Sequence, residues 1–242
     1  MLVINVEDNM SMNPDRIKKV EIGQGEIIAL LGENGSGKTT LIKQILGMKV
    51  FKGGKILLDG DKVTYKNLHK LSLGSCEHTF FGEFTILEQK EFYQIHFPGF
   101  KEKRFNLLVE YFELPLKRKM KHMSEGEKNQ AETVFALCQG ADYIFLDEPF
   151  ANNDIFRRKD FYKLLIGLLE ENETLIIATH LVEEIDSIIS RVILVDNMEI
   201  TGDVSIEELD EEGIEVVEWL KEKLNYNEKK AVDFIKRIEE EL

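Results

Sequence analysis

Cysteine is scarce in this sequence, with only Cys76 and Cys138 among 242 residues. The pair has neither metal-ligand spacing nor the look of a disulfide framework, so both are read as reduced thiols of a cytosolic protein. Long apolar runs are missing too. The longest near the start is IIALL, residues 27–31, far short of the roughly 20 residues of a membrane-spanning helix. No basic-then-apolar segment with a small-residue cleavage site opens the chain, and no secretory signal is expected. Positive charge is in deficit: 31 Lys and Arg against 45 Asp and Glu give a net charge of −14. That balance argues against a nucleic-acid backbone as partner. Residues 203–242 carry 14 acidic and 6 basic residues, a net of −8, read as a solvated helical face. Phe, Tyr and Trp are absent from residues 1–50, and the chain has no internal repeat or low-complexity tract.

What is present describes an ordinary globular protein, 43% hydrophobic and 31% charged, long enough for one large α/β domain or two modest lobes. LVINV and IKKVEI (residues 17–22) read as short strands, and EIIALLG as a buried central strand. KILLDGDKV predicts a hairpin turning at Asp59-Gly60. From about residue 83 to 140 the pattern turns helical, in TILEQKEFYQIHF, EKRFNLLVEYFEL and SEGEKNQAETVFALCQG, with breaks at Pro98-Gly99 and Pro115 and a stop at Gly140. DYIFLDEP and TLIIATH return as buried strands around a helix in DFYKLLIGLLEE, and RVILVDNMEITG reads as a last hairpin. This is strand–helix alternation interrupted by a helical block, an α/β core with an inserted helical lobe.

GENGSGKT (residues 32–39) fits G-x-x-x-x-G-K-[ST] without a mismatch, between a buried strand and a helix whose Leu41, Ile42, Ile45 and Leu46 share one face. Its glycines let successive N–H groups turn inward as a phosphate nest. Lys38 is placed to reach the β- and γ-phosphates, and Thr39 offers a hydroxyl to Mg²⁺. The chain is expected to bind a nucleoside triphosphate. YIFLDEP ends a strand in Asp147, suited to the Mg²⁺ shell, and Glu148, suited to polarise a water in line with the γ-phosphate. His180 ends a second buried strand at what parallel pairing makes the same edge. Ser124 followed by Glu127 reads as a capping box at a helix start.

The order GENGSGKT, MSEGE, FLDEP, ANND, ATH resembles the ATP-binding cassette (ABC) ATPase domain over about residues 1–204, and most of all the separate ATP-binding subunits of bacterial exporters. The resemblance implies a P-loop NTPase of the ABC-ATPase type: an α/β core with a mixed central sheet, an N-terminal antiparallel β subdomain and an inserted α-helical signature lobe at about 83–140. Residues 205–242 form an acidic helical extension beyond it. ATP and Mg²⁺ are the implied cofactors. Asn34, Gly35, Ser36, Gly37, Lys38, Thr39 and Thr40 would hold phosphate, and Thr39 and Asp147 the metal. Glu148 would be the base, His180 the γ-phosphate sensor and Asp154 the D-loop aspartate. Ser124 and Gly126 would close in trans over ATP on an opposing subunit. The implied partners are a second cassette, identical or paralogous, and a separate transmembrane permease; the chain would be cytoplasmic, peripheral on the inner face of the cell membrane, and would touch the membrane through the permease alone. Export is the expected direction. The other reading is a soluble ABC ATPase acting as an assembly or scaffold factor without a permease.

Several residues depart from the family pattern. With no upstream aromatic, Met10 or Met12 would lie against adenine. The Q-loop glutamine is replaced by Glu77 or His78, Glu77 being a candidate metal ligand. Asn153 stands where the family prefers leucine. Glu125 replaces a signature glycine, its side chain expected to point away from the nucleotide and Glu125→Gly expected to be neutral or activating. Phe80, Phe81 and Phe84 read either as a small core under the helical lobe or as a socket for a short permease helix. The apolar positions Val217, Leu220, Leu224, Ala231, Ile235 and Ile238 would pack on the core or on a second subunit.

Overall fold

A computed structural model describes residues 1–6, 16–149, 155–224 and 226, the side chains of 155–159 aside. In chain order it contains β1 (Leu2–Val6), β2 (Lys19–Ile22), β3 (Ile27–Leu31), α1 (Lys38–Ile45), β4 (Gly54–Leu58), β5 (Asp61–Lys62) and β6 (Leu71–Ser75). The helical block follows as α2 (Ile86–His96), α3 (Glu102–Tyr111) and α4 (Glu125–Cys138). Then come β7 (Tyr143–Asp147), α5 (Ile155–Leu168), β8 (Thr174–Thr179), β9 (Arg191–Asp196), β10 (Glu199–Ser205), α6 (Ile206–Glu212) and α7 (Val216–Lys223).

The continuous apolar strands dictate the layering. Side chains alternate across a sheet, so a strand apolar at every position must be covered on both faces. Ile28 and Leu30 of β3, Tyr143 and Phe145 of β7, and Ile176 and Ala178 of β8 face one core, with Leu41, Ile42 and Ile45 of α1 and Leu2 and Ile4 of β1. Their neighbours Ala29, Leu31, Ile144, Leu146, Leu175 and Ile177 face the other, filled by Val134, Phe135 and Cys138 of α4 and Phe161 and Leu165 of α5. The sheet between them has the order β10-β9-β3-β8-β7-β6. It is mixed, parallel from β9 to β6 with β10 antiparallel at the edge. A second, antiparallel sheet, β2-β1-β4-β5, forms the N-terminal subdomain. Its hairpin turns where expected, Asp59 and Gly60 both taking positive φ (54° and 86°), the backbone of a two-residue turn matched to strand twist.

Two expected boundaries move. The second strand begins at Lys19 rather than residue 17, because the Ile17 N–H donates to Ile200 O of β10 (2.8 Å). The helix expected from residue 160 begins at Ile155.

The helical lobe is fixed to the core by a buried ion pair that local sequence patterns do not reveal. Arg104 on α3 donates to both oxygens of Glu173, just before β8, at 2.9 and 2.6 Å, and to Leu137 O at 2.7 Å. The extension is docked as well over its described residues, to Leu224. Trp219 is buried in the α4-side core, and a Cβ on Gly202 of β10 would lie 2.5 Å from its ring. Val217, Leu220 and Leu224 pack against the same core; Ala231, Ile235 and Ile238 lie outside the described residues.

Candidate functional site

Parallel pairing brings three strand ends to one edge. In register, Leu31 of β3 lies beside Thr179 of β8, and Ala178 beside Asp147 of β7. The segments leaving those ends, the phosphate loop, Asp147-Glu148 and Thr179-His180, therefore meet at one crevice beyond the carboxyl ends of the strands.

A pocket of about 260 Å³ opens there, lined by Asn34, Gly35, Gly37, Lys38, Thr39, Thr40, Asp147, Glu148 and Met198. Lys38 is buried, its Nζ donating to Gly32 O (2.7 Å) and Glu33 O (3.2 Å). Burial lowers its pKa, while Glu148 and then Asp147 act in the opposite direction. The Asp147 carboxyl is raised, chiefly by burial, against the pull of a hydrogen bond from the Thr39 hydroxyl. Ser36 Oγ and Asp147 Oδ1 are buried with no hydrogen-bond partner among the described residues. Such orphans are costly in a finished interior; Asp147 lines the pocket, where a ligand could complete it, whereas Ser36 does not. A hard dication with oxygen ligands fits a buried carboxylate oxygen next to a threonine hydroxyl, so the residues present suit Mg²⁺.

Glu148 holds φ at 47°, the left-handed region, while its N–H donates to Ala178 O (2.9 Å). A non-glycine residue there is strained and needs a local reason. Its side chain supplies one: Oε1 lies 2.9 Å from His180 Nδ1, and Oε2 accepts from the Thr179 hydroxyl at 3.4 Å.

Ser124 and Gly126 stand elsewhere, at the start of α4, and do not line this pocket. Ser124 caps the helix in a box with Glu127: the Ser124 N–H donates to Glu127 Oε2 (2.8 Å) and the Glu127 N–H to Ser124 Oγ (3.2 Å). Glu125 points away from the pocket, to His78 and Lys128. Glu77, expected as a metal ligand, does not line the pocket either; its carboxylate is taken by Lys43 Nζ at 2.6 and 2.5 Å. Of the candidate metal ligands, Thr39 and Asp147 line the pocket and Glu77 is paired with Lys43. Asp154, Asn153, Met10 and Met12 lie outside the described residues. The aromatic cluster divides. Phe80 packs on the large core and stacks with His78 (5.3 Å), whereas Phe81 is half exposed and meets Phe84 (5.0 Å) and Phe92 (5.2 Å).

One lining residue was missed. Met198, in the β9–β10 turn, donates its N–H to Ser36 O (2.7 Å) and lays its sulfur over Gly37, where a Cβ would come within 2.7 Å of it. The hairpin pattern placed the turn, but no sequence signal places a turn against a loop so far upstream.

A glycine-rich turn between a buried strand and a helix, with acids at the end of a neighbouring parallel strand, defines a phosphate-loop nucleotide-binding protein. The model of the ABC transporter family matches residues 17–151, and the chain belongs to that family. It is an ATP-binding subunit of an ABC transporter and an ATP hydrolase. The ABC transporter ATP-binding protein YtrB of Bacillus subtilis is 29% identical over 198 residues, 81% of this chain and 68% of that relative. The thiamine import ATP-binding protein ThiQ of Histophilus somni is 28% identical over 209 residues, 80% of this chain and 92% of that one. An ATP-binding subunit of an ABC transporter superposes with a TM-score of 0.75 at 19% identity, covering 92% of this chain and 97% of that one. A dimeric ATP-binding cassette in a post-hydrolysis state with ADP and phosphate gives a TM-score of 0.68 at 20% identity, covering 85% and 99%. At those identities the structures speak for the fold.

Proposed function

We propose that this subunit powers a separate transmembrane permease, two cassettes closing head to tail around two ATP molecules at the inner face of the membrane. The observation that carries the hydrolytic part is the Glu148–His180 contact of 2.9 Å beside the phosphate loop. ATP would lay its phosphates on the N–H groups of residues 34–40, with the Lys38 ammonium reaching the β- and γ-oxygens. Glu148 takes the proton of a water as that water attacks the γ-phosphorus in line and the bond to ADP breaks. His180 orients the Glu148 carboxylate and, on closure, the γ-phosphate. Thr39 and Asp147 would hold Mg²⁺, which supplies neutralisation of the phosphate charge. Asp154 is assigned to the subunit contact, and Ser124 and Gly126 to the ATP of the partner subunit. Closure on binding and opening after hydrolysis supply the mechanical step.

No described helix is long and apolar enough to cross a membrane, which suits a path through the bilayer supplied by another chain. Export is the direction favoured by the sequence resemblance, and the import name of one relative shows that relatives' names do not carry it. Nucleic acid is not among the proposed partners, in keeping with the −14 net charge. The test is Glu148→Gln. It is expected to bind ATP, lose most turnover and accumulate as an ATP-dependent dimer in size-exclusion chromatography. Turnover equal to wild type would remove Glu148 from the role of base.

A further inference from the structure

The loop leaving β6 joins two helices through alternate side chains. Ser75, the last residue of β6, pairs in register with Asp147, so the loop starts beside the nucleotide pocket. Glu77 is held by Lys43 of α1, the helix that begins at the phosphate loop. His78 takes a positive φ of 54°, and its ring goes to the other helix: Nε2 lies 2.9 Å from Glu125 Oε2 in the first turn of α4. Glu132, two turns further along the same face of α4, is buried and accepts from the Thr79 N–H and hydroxyl and from the Phe80 N–H (3.2 Å). The other nitrogen of His78, Nδ1, is buried without a partner among the described residues, so Glu125 is the polar anchor of that ring. The Glu125 carboxyl is held down to about 2, by Lys128 and then by His78. Two side chains at positions that depart from the family pattern are thus each other's partners.

We propose that the His78–Glu125 bond is a positioning contact that fixes the start of α4, and with it Ser124 and Gly126, relative to the phosphate loop, the Lys43–Glu77 pair anchoring the other end of the same strap. The inference rests on the reading that Ser124 and Gly126 meet the ATP of a partner subunit. His78 and Glu125 do not line the nucleotide pocket; they act by orientation, and a reacting group misplaced by about 1 Å loses up to about a hundredfold in rate. It also replaces the expectation that Glu125→Gly is neutral or activating, since loss of the carboxylate leaves the His78 ring unanchored.

The test uses the full chain and steady-state ATPase measurements on His78→Ala, Glu125→Ala, the double variant and His78→Gln. Each alanine variant is expected to lower kcat by roughly fivefold or more, with KM for ATP and Tm unchanged, and the double to lose no more than the worse single, as contacting residues do. His78→Gln keeps an N–H donor and is expected to retain most of kcat. Single variants at wild-type kcat, losses that multiply in the double, a loss that tracks a falling Tm, or a His78→Gln as impaired as His78→Ala would each overturn the proposal. A wild-type chain that turns over no ATP would sink the proposed hydrolysis and this inference with it. Turnover indifferent to all four variants sinks this inference alone.

Discussion

Replacing Arg104 by leucine strands a carboxylate. Arg104 is 7% and Glu173 2% exposed at the side chain, and three short bonds from the guanidinium go to the two Glu173 oxygens and Leu137 O. In Arg104→Leu, Glu173 keeps the Glu170 N–H as a donor at 2.8 Å but loses its countercharge. Breaking a buried ion pair from one side costs about 3–5 kcal/mol. At this chain length each kcal/mol moves Tm by about 2–4 °C. A fall of roughly 6–20 °C is therefore expected in a thermal melt followed by circular dichroism. Arg104→Leu/Glu173→Leu removes both charges and is expected to recover most of the loss, leaving about 1 kcal/mol for the unpaired Leu137 carbonyl. A single variant that melts with the wild type, or a double variant less stable than the single, would refute the reasoning.

Two further tests follow from other parts of the fold. Burial raises the Glu132 carboxyl above its ordinary 4.5, so the native state holds that proton more tightly than the unfolded chain does. The contribution is fully present below about pH 4.5 and is lost as pH rises through the native value. Glu132→Gln cannot ionise and its Oε1 still accepts from Thr79 and Phe80; its Tm relative to wild type is expected to climb as pH rises above about 4.5, and a pH-independent difference would contradict this. Phe81→Ala removes the half-exposed ring that meets Phe84 and Phe92, and is expected to lower co-purification with the permease while leaving ATP turnover by the isolated subunit unchanged. Intact co-purification and transport would end the socket reading.

The features legible in the sequence are local ones. IIALL, YIFLD and TLIIAT announce two-sided burial by being apolar at every position, and GENGSGKT is self-contained because its neighbours in sequence are its neighbours in space. The Ser124–Glu127 box was legible for the same reason, since both bonds close within one turn. What was hidden is long-range pairing. Arg104 meets Glu173 across 69 positions and His78 meets Glu125 across 47, and nothing periodic links either pair. Glu77 reads as a metal ligand from its position alone, and its pairing with Lys43 is a contact that position does not announce. The apolar stripe of α7 admitted two destinations until Trp219 was found seated over Gly202.

The left-handed backbone at Glu148 sets chemistry against folding at one residue. A side chain at φ 47° costs on the order of 1 kcal/mol, and glycine would remove that cost together with the proposed base. Under the proposed role, turnover and the bonds to His180 and Thr179 favour glutamate there, while the backbone favours glycine. In a gene copy released from the need to hydrolyse ATP, drift toward glycine or asparagine would be favoured by stability. Either residue there in a relative would read as inherited loss of catalysis rather than as neutral variation.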